Sequence, residues 1–148
     1  MDLVLLTLIR GSHLADQGRN RKMFNLMELA APVPMIHFYF QYWQGPVGQH
    51  AQTVILSITR FQSEKLLQVP PFVLRPEGFG DKVMAALGCR DINFPEHPVF
   101  SKKYLLEAGD EAAVRAFFTP ERVAFFEQET GWVVEVSGDL AFVYREGQ

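Results

Sequence analysis

The sequence predicts an α+β fold: a mainly antiparallel sheet with about three helices packed on one face. Three observations carry this. Apolar, β-favouring runs are joined by short turns towards both ends of the chain, Val33–Trp43 with Gln52–Arg60 and Trp132–Val136 with Leu140–Arg145. The helix signals fall between those hairpins. Strands and helices are grouped, without the regular alternation of a parallel βαβ fold.

In chain order, Leu3–Ile9 (LVLLTLI) is a buried strand or a short helix, which periodicity alone does not separate at this length. Gly11–Lys22 is polar and reads as a loop. Met23–Leu29 reads as a short strand with Phe24, Leu26 and Glu28 on one face. Gln44–Gly48 (QGPVG) is a turn by composition. It links Val33–Trp43, apolar on both faces, to a strand in which Val54, Leu56 and Ile58 alternate with Ser57 and Thr59. Phe61–Pro71 is a connector closed by two prolines.

Phe72–Arg75 follows as a short strand. Val83, Met84 and Leu87 then mark one face of a helix stopped by Gly88. Asp91–Phe94 reads as a strand, Pro95–Pro98 as a rigid turn, and Ser101–Glu107 as a strand. Asp110 caps a helix carrying Val114, Phe117 and Phe118. Thr119-Pro120-Glu121 supplies an N-cap, a first-turn proline and a first-turn acid for another. In the closing hairpin the three residues Ser137–Asp139 form the turn, with Trp132, Val134 and Val136 opposite Leu140, Phe142 and Tyr144.

The 148 residues suit one domain, with residues 1–22 as a peripheral segment. Hydrophobic residues at 48% and charged residues at 21% exclude wholesale disorder. The net charge of −3 is unevenly divided: residues 1–70 carry six Lys/Arg and four Asp/Glu, and residues 71–148 eight and thirteen. The acidic second half argues against phosphate-backbone binding, so no nucleic-acid partner is expected. Leu3–Ile9 is too short to span a bilayer, which takes about 20 apolar residues. The expectation is a cytoplasmic protein, with membrane contact confined to residues 3–22, where Arg19, Arg21 and Lys22 form the basic cluster.

The four histidines, His13, His37, His50 and His97, show no metal-ligand spacing, and the glycines form no phosphate-cradling loop. Neither metal nor cofactor is expected. Cys89 follows a helix C-terminus, where the dipole disfavours a thiolate, and reads as an inert thiol. Arg75 should pair with Asp91 or Glu77. The aromatic run through Phe38, Tyr39, Phe40, Tyr42 and Trp43 lacks interleaved cations and reads as core or interface.

LRPE at 74–77, DINF at 91–94, HPVFSKKYLL at 97–106, DEAAVRAFF at 110–118 and the closing VEVSGDLAFVYRE together resemble a group of uncharacterised bacterial proteins. In that group similar blocks stand in this order, often behind N-terminal membrane-anchoring helices. The resemblance covers residues 35–146 and implies a cytosol-facing α+β domain with no catalytic residues to carry over.

The functional expectation is a non-catalytic binding or interaction domain, acting on a protein partner or a second copy of itself. The alternative is a small hydrolase with Asp91 and His97 as catalytic groups and Arg75 as ligand-binding residue.

Overall fold

A computed structural model describes residues 3–30, 32–78 and 90–146. Eight strands make one sheet: β1 (Arg19–Leu29), β2 (Met35–Gln44), β3 (Gln52–Gln62), β4 (Phe72–Pro76), β5 (Arg90–Asp91), β6 (Tyr104–Ala108), β7 (Trp132–Ser137) and β8 (Leu140–Glu146). Their spatial order is β1-β2-β3-β8-β7-β4-β6-β5, and every neighbouring pair is antiparallel. The described helices are α1 (Leu3–Ile9), α2 (Pro98–Lys103), α3 (Glu111–Phe117) and α4 (Pro120–Gln128), with 3₁₀ turns at His13–Asp16 and Glu64–Gln68. The class is α+β, as the grouped strands and helices predict. No described helix is long and apolar enough to cross a membrane.

The helices lie on both faces of the sheet. Side chains alternate along a strand, and the core divides accordingly. On β8, Phe142 and Tyr144 join a cluster with Leu5, Leu8 and Ile9 of α1, whereas Ala141 joins a second cluster with Phe100, Val114 and Val123 of α2, α3 and α4. On β7, Val133 belongs to the first cluster and Val136 to the second. The three C-terminal helices thus share one face and α1 occupies the other. The helix expected around Val83, Met84 and Leu87, and Cys89 beyond it, lie outside the described residues.

Four local expectations change. Pro98–Lys103 forms a helix, so the strand expected from Ser101 begins only at Tyr104: Pro98 takes an early helical position that needs no N–H, and Lys102 and Lys103 face the negative end of the dipole. Of the strand expected at Asp91–Phe94, only Asp91 belongs to β5.

β1 begins at Arg19, inside the expected loop, and carries irregularities between Arg19 and Lys22 and between Phe24 and Met27. Asn20 and Asn25 sit there at φ 50° and 53°, a region that asparagine tolerates better than most residues. The second irregularity puts Phe24 and Met27 on one face, opposite Tyr39 and His37. Gly18 precedes the strand at φ +56°, and a Cβ there would lie 2.2 Å from Tyr42 Cδ2.

The closing hairpin turns in two residues, not three, because Ser137 pairs with Leu140 across Gly138-Asp139. The expected facing sets are therefore exchanged. Val133 and Glu135 face with Tyr144 and Phe142, while Trp132, Val134 and Val136 face with Arg145, Val143 and Ala141. A one-residue difference in a turn moves every side chain beyond it to the other face.

Candidate functional site

Arg75 and Asp91 both neighbour Glu107, the first through its side chain and the second through strand pairing, whereas His97 stands with α2 on the other face. Arg75 follows core residue Leu74 on β4, so it points to the α1 face, where it is buried and donates through NH2 to Glu107 Oε1 at 3.1 Å. Glu107 thus takes the place expected of Asp91 or Glu77. Asp91 is exposed, and its Oδ2 accepts from Asn93 Nδ2 at 3.3 Å. His97 occupies the N-cap position of α2, over the opposite face, with its Nδ1 3.5 Å from Glu127 Oε1.

A different polar centre lies on the α1 face. Glu135 is a buried acid in an otherwise apolar stretch of β7. Its Oε2 accepts from the His13 backbone N–H at 3.1 Å, while Oε1 pairs with His13 Nδ1 at 2.9 Å and accepts from the Tyr144 hydroxyl at 2.8 Å. The hydrogen bond to Glu135 raises the His13 pKa above its ordinary 6.5, with desolvation opposing. Burial pushes the Tyr144 phenol well above its usual range, and the Glu135 charge adds to this. Arg75 and Glu107 are close enough for both charges to act on His13.

Chemically, the arrangement fixes an imidazole through a carboxylate, as acid–base sites do. Among the described residues, however, no hydroxyl or thiol hydrogen-bonds to His13. Ser12 beside it donates from Oγ to Ile9 O at 2.9 Å and accepts from Leu14 N–H at 3.2 Å, which caps the 3₁₀ turn. The work of the centre is to join that turn to β7. Its sequence signal is an acid in an apolar hairpin strand, readable only once the register is known.

The other candidate is a surface. Among the described residues, α2, α3 and α4 cover their face of the sheet over β4, β6 and β7, and no helix lies over its β1–β3 part. Two cross-strand rows run there, Met27–His37–Thr59 and Phe24–Tyr39–Ser57. Phe24 and Tyr39 stack with ring centroids 5.4 Å apart, and His37 Nδ1 lies 3.0 Å from Thr59 Oγ1. Met27 is 56% exposed, and Leu29, Trp43 and Ile55 are exposed on the same face.

The first row continues through Val143 to Val134, the floor of a groove of about 540 Å³. Its walls include Phe117, Phe125 and Phe126 on one side and Leu66 and Val69 on another.

The basic cluster is largely occupied. Arg19 NH2 donates to Gly45 O at 3.0 Å, and Arg21 NH1 to Ala15 O at 2.5 Å. Leu5, Leu8 and Ile9 are buried under the sheet, whereas Leu3 and Val4 are exposed. Among the described residues no three His, Cys, Asp or Glu side chains are grouped as metal ligands would be. No protein-family model matches the chain, and no curated protein or solved structure matches it either.

Proposed function

We propose that this chain is a non-catalytic interaction domain whose partner surface is the bare β1–β3 part of the α2–α4 face, and that the partner is a second copy. The observation that carries the reading is an aromatic and apolar sheet face left uncovered beside a helical layer. Contiguous exposed apolar surface of this kind marks a contact site.

Across β1–β3 the two central rows carry no Lys, Arg, Asp or Glu, so a second copy laid there meets aromatic and apolar side chains at the centre, with Arg19, Lys22 and Arg145 around them on the same face. Two sheets stack at about 10 Å by interleaving such side chains, and a two-fold pair is self-complementary. Pairing along the β1 edge is disfavoured by its irregularities at Asn20 and Asn25, which interrupt the row of free backbone groups. The hydrolase alternative gains no observation: Arg75 and Asp91 meet at Glu107, while His97 pairs with Glu127 on the opposite face. The proposal includes a cytoplasmic location, and residues 35–146 as the counterpart of the domain in the uncharacterised bacterial proteins.

Size-exclusion chromatography with light scattering tests it. Wild type should show a concentration-dependent dimer. A Phe24→Ser, Met27→Lys double variant should remain folded by circular dichroism and run as a monomer. A wild type that stays monomeric at its highest soluble concentration overturns the proposal.

A further inference from the structure

The groove beside the bare strands has a different shape and calls for a different occupant. Its floor is the flat, β-branched surface of Val134, Val136 and Val143, and Phe117, Phe125 and Phe126 rise along one side. The 3₁₀ turn Glu64–Gln68 contributes Leu66 on another side. A slot bounded on several sides admits a narrow, flexible chain better than a folded protein surface. At about 540 Å³ it lies within the usual range for small-molecule sites, about 300–1,000 Å³. Phe125 remains 55% exposed at its rim.

Among the described residues two charged side chains line the groove, Glu121 and Arg122, both in the first turn of α4. They are not equivalent. The backbone N–H of Glu121 itself, and after it the Thr119 hydroxyl, hold the Glu121 carboxyl below its ordinary pKa. The Arg122 guanidinium lies over the Phe117 ring, 4.2 Å from its centroid, and donates through NH1 to the Phe117 carbonyl. One acid is thus engaged by the helix start, while a cation is fixed to a wall of the slot with further N–H donors to offer.

We propose that this groove binds a free single-chain amphiphile, its alkyl chain along the valine floor and its anionic head group at Arg122. The groove adjoins the self-association surface but includes no lining residue from β1, β2 or β3, and its binding does not depend on that surface. Apolar area supplies most of the affinity, and the exposed charge contact adds a smaller increment.

Isothermal titration calorimetry with dodecanoate and with dodecanol, each as free monomer, tests the assignment. Both should bind saturably at one site per chain. Arg122→Gln should weaken dodecanoate by up to about fivefold, the range of an exposed ion pair, and leave dodecanol unchanged. Phe125→Glu alters an exposed rim position and should keep the fold, yet it should weaken both ligands and dodecanoate more. The Phe24→Ser, Met27→Lys variant should retain full binding, so that failure here is distinguishable from failure of the dimer.

Absence of saturable heat from the wild type overturns the proposal, as does an equal loss of both ligands in Arg122→Gln. Co-sedimentation with anionic phosphatidylserine vesicles in the absence of free-chain binding would also overturn it, by reassigning the surface to a bilayer.

Discussion

The two faces of the sheet are closed in different ways. On one, α2, α3 and α4 build a core with a dense aromatic network: Phe94, Phe100, Phe118 and Tyr104 meet with ring centroids 5.5–6.4 Å apart. On the other, among the described residues, a seven-residue helix and a 3₁₀ turn lie over Phe38, Phe40, Leu56, Ile58 and Tyr144. The buried polar and charged residues Ser12, Arg75 and Glu135 belong to this second face. A three-helix cover has enough apolar area to hold itself down. The α1 segment is in addition tied by a carboxylate that accepts three hydrogen bonds. Apolar packing is non-directional, whereas the Glu135 tie fixes where the cover sits.

Substitutions on each face can break this contrast. Phe100 is fully buried in the aromatic network, and Phe100→Ala should cost about 3–5 kcal/mol in chemical denaturation, for the lost burial and the cavity left behind. Glu135→Ala strands His13 and Tyr144 and should cost about 3 kcal/mol. Its effect should be local, with amide exchange accelerated in residues 3–16 before the aromatic core opens. If both variants accelerate exchange uniformly over the chain, the two faces unfold as one unit and the contrast fails.

The pH dependence sharpens the same comparison. Because the folded pKa of His13 is raised, its contribution is fully present below the unfolded value of 6.5 and is lost as pH rises through the folded value. Amide exchange in residues 3–16, corrected for its intrinsic pH dependence, should report weaker protection as pH rises above 6.5. A His13→Asn variant should lack that slope. The smallest effect belongs to the helical side, where the Thr119 hydroxyl accepts from Arg122 N–H at 3.5 Å. Thr119→Ala should lower the melting midpoint by an amount equivalent to about 1 kcal/mol, without altering the α1 face.

Much of the framework was legible because it depends on near neighbours. Val54, Leu56 and Ile58 alternate towards the core as written, and Asp110 and Thr119 cap the helices that follow them. The caps act within three residues, and strand alternation needs no knowledge of the partner strand. Helix α2 was hidden because Lys102-Lys103-Tyr104 carries no apolar helical period, and only Phe100 of its six residues is buried.

The polar centre was illegible for another reason. His13 and Glu135 are 122 residues apart, and Arg75 and Glu107 are 32 apart. Neither pair has a spacing that could reveal it. The bare surface was half legible: the aromatic run of β2 announced core or interface, but it is both. Phe38 and Phe40 turn into the α1 core, while Tyr39 and Trp43 turn the other way.

The sequence by itself determined the class, the two hairpins, the caps of α3 and α4, and the absence of a local catalytic motif, since each is written in short-range periodicity and turn chemistry. Tertiary structure decided which face each strand presents, because a turn of two residues instead of three exchanges those faces. It also decided that Glu135, rather than Asp91 or His97, anchors a buried centre, and that among the described residues α2, α3 and α4 cover only part of their face. Such outcomes depend on the pairing of distant segments, and no spacing along the chain encodes that pairing.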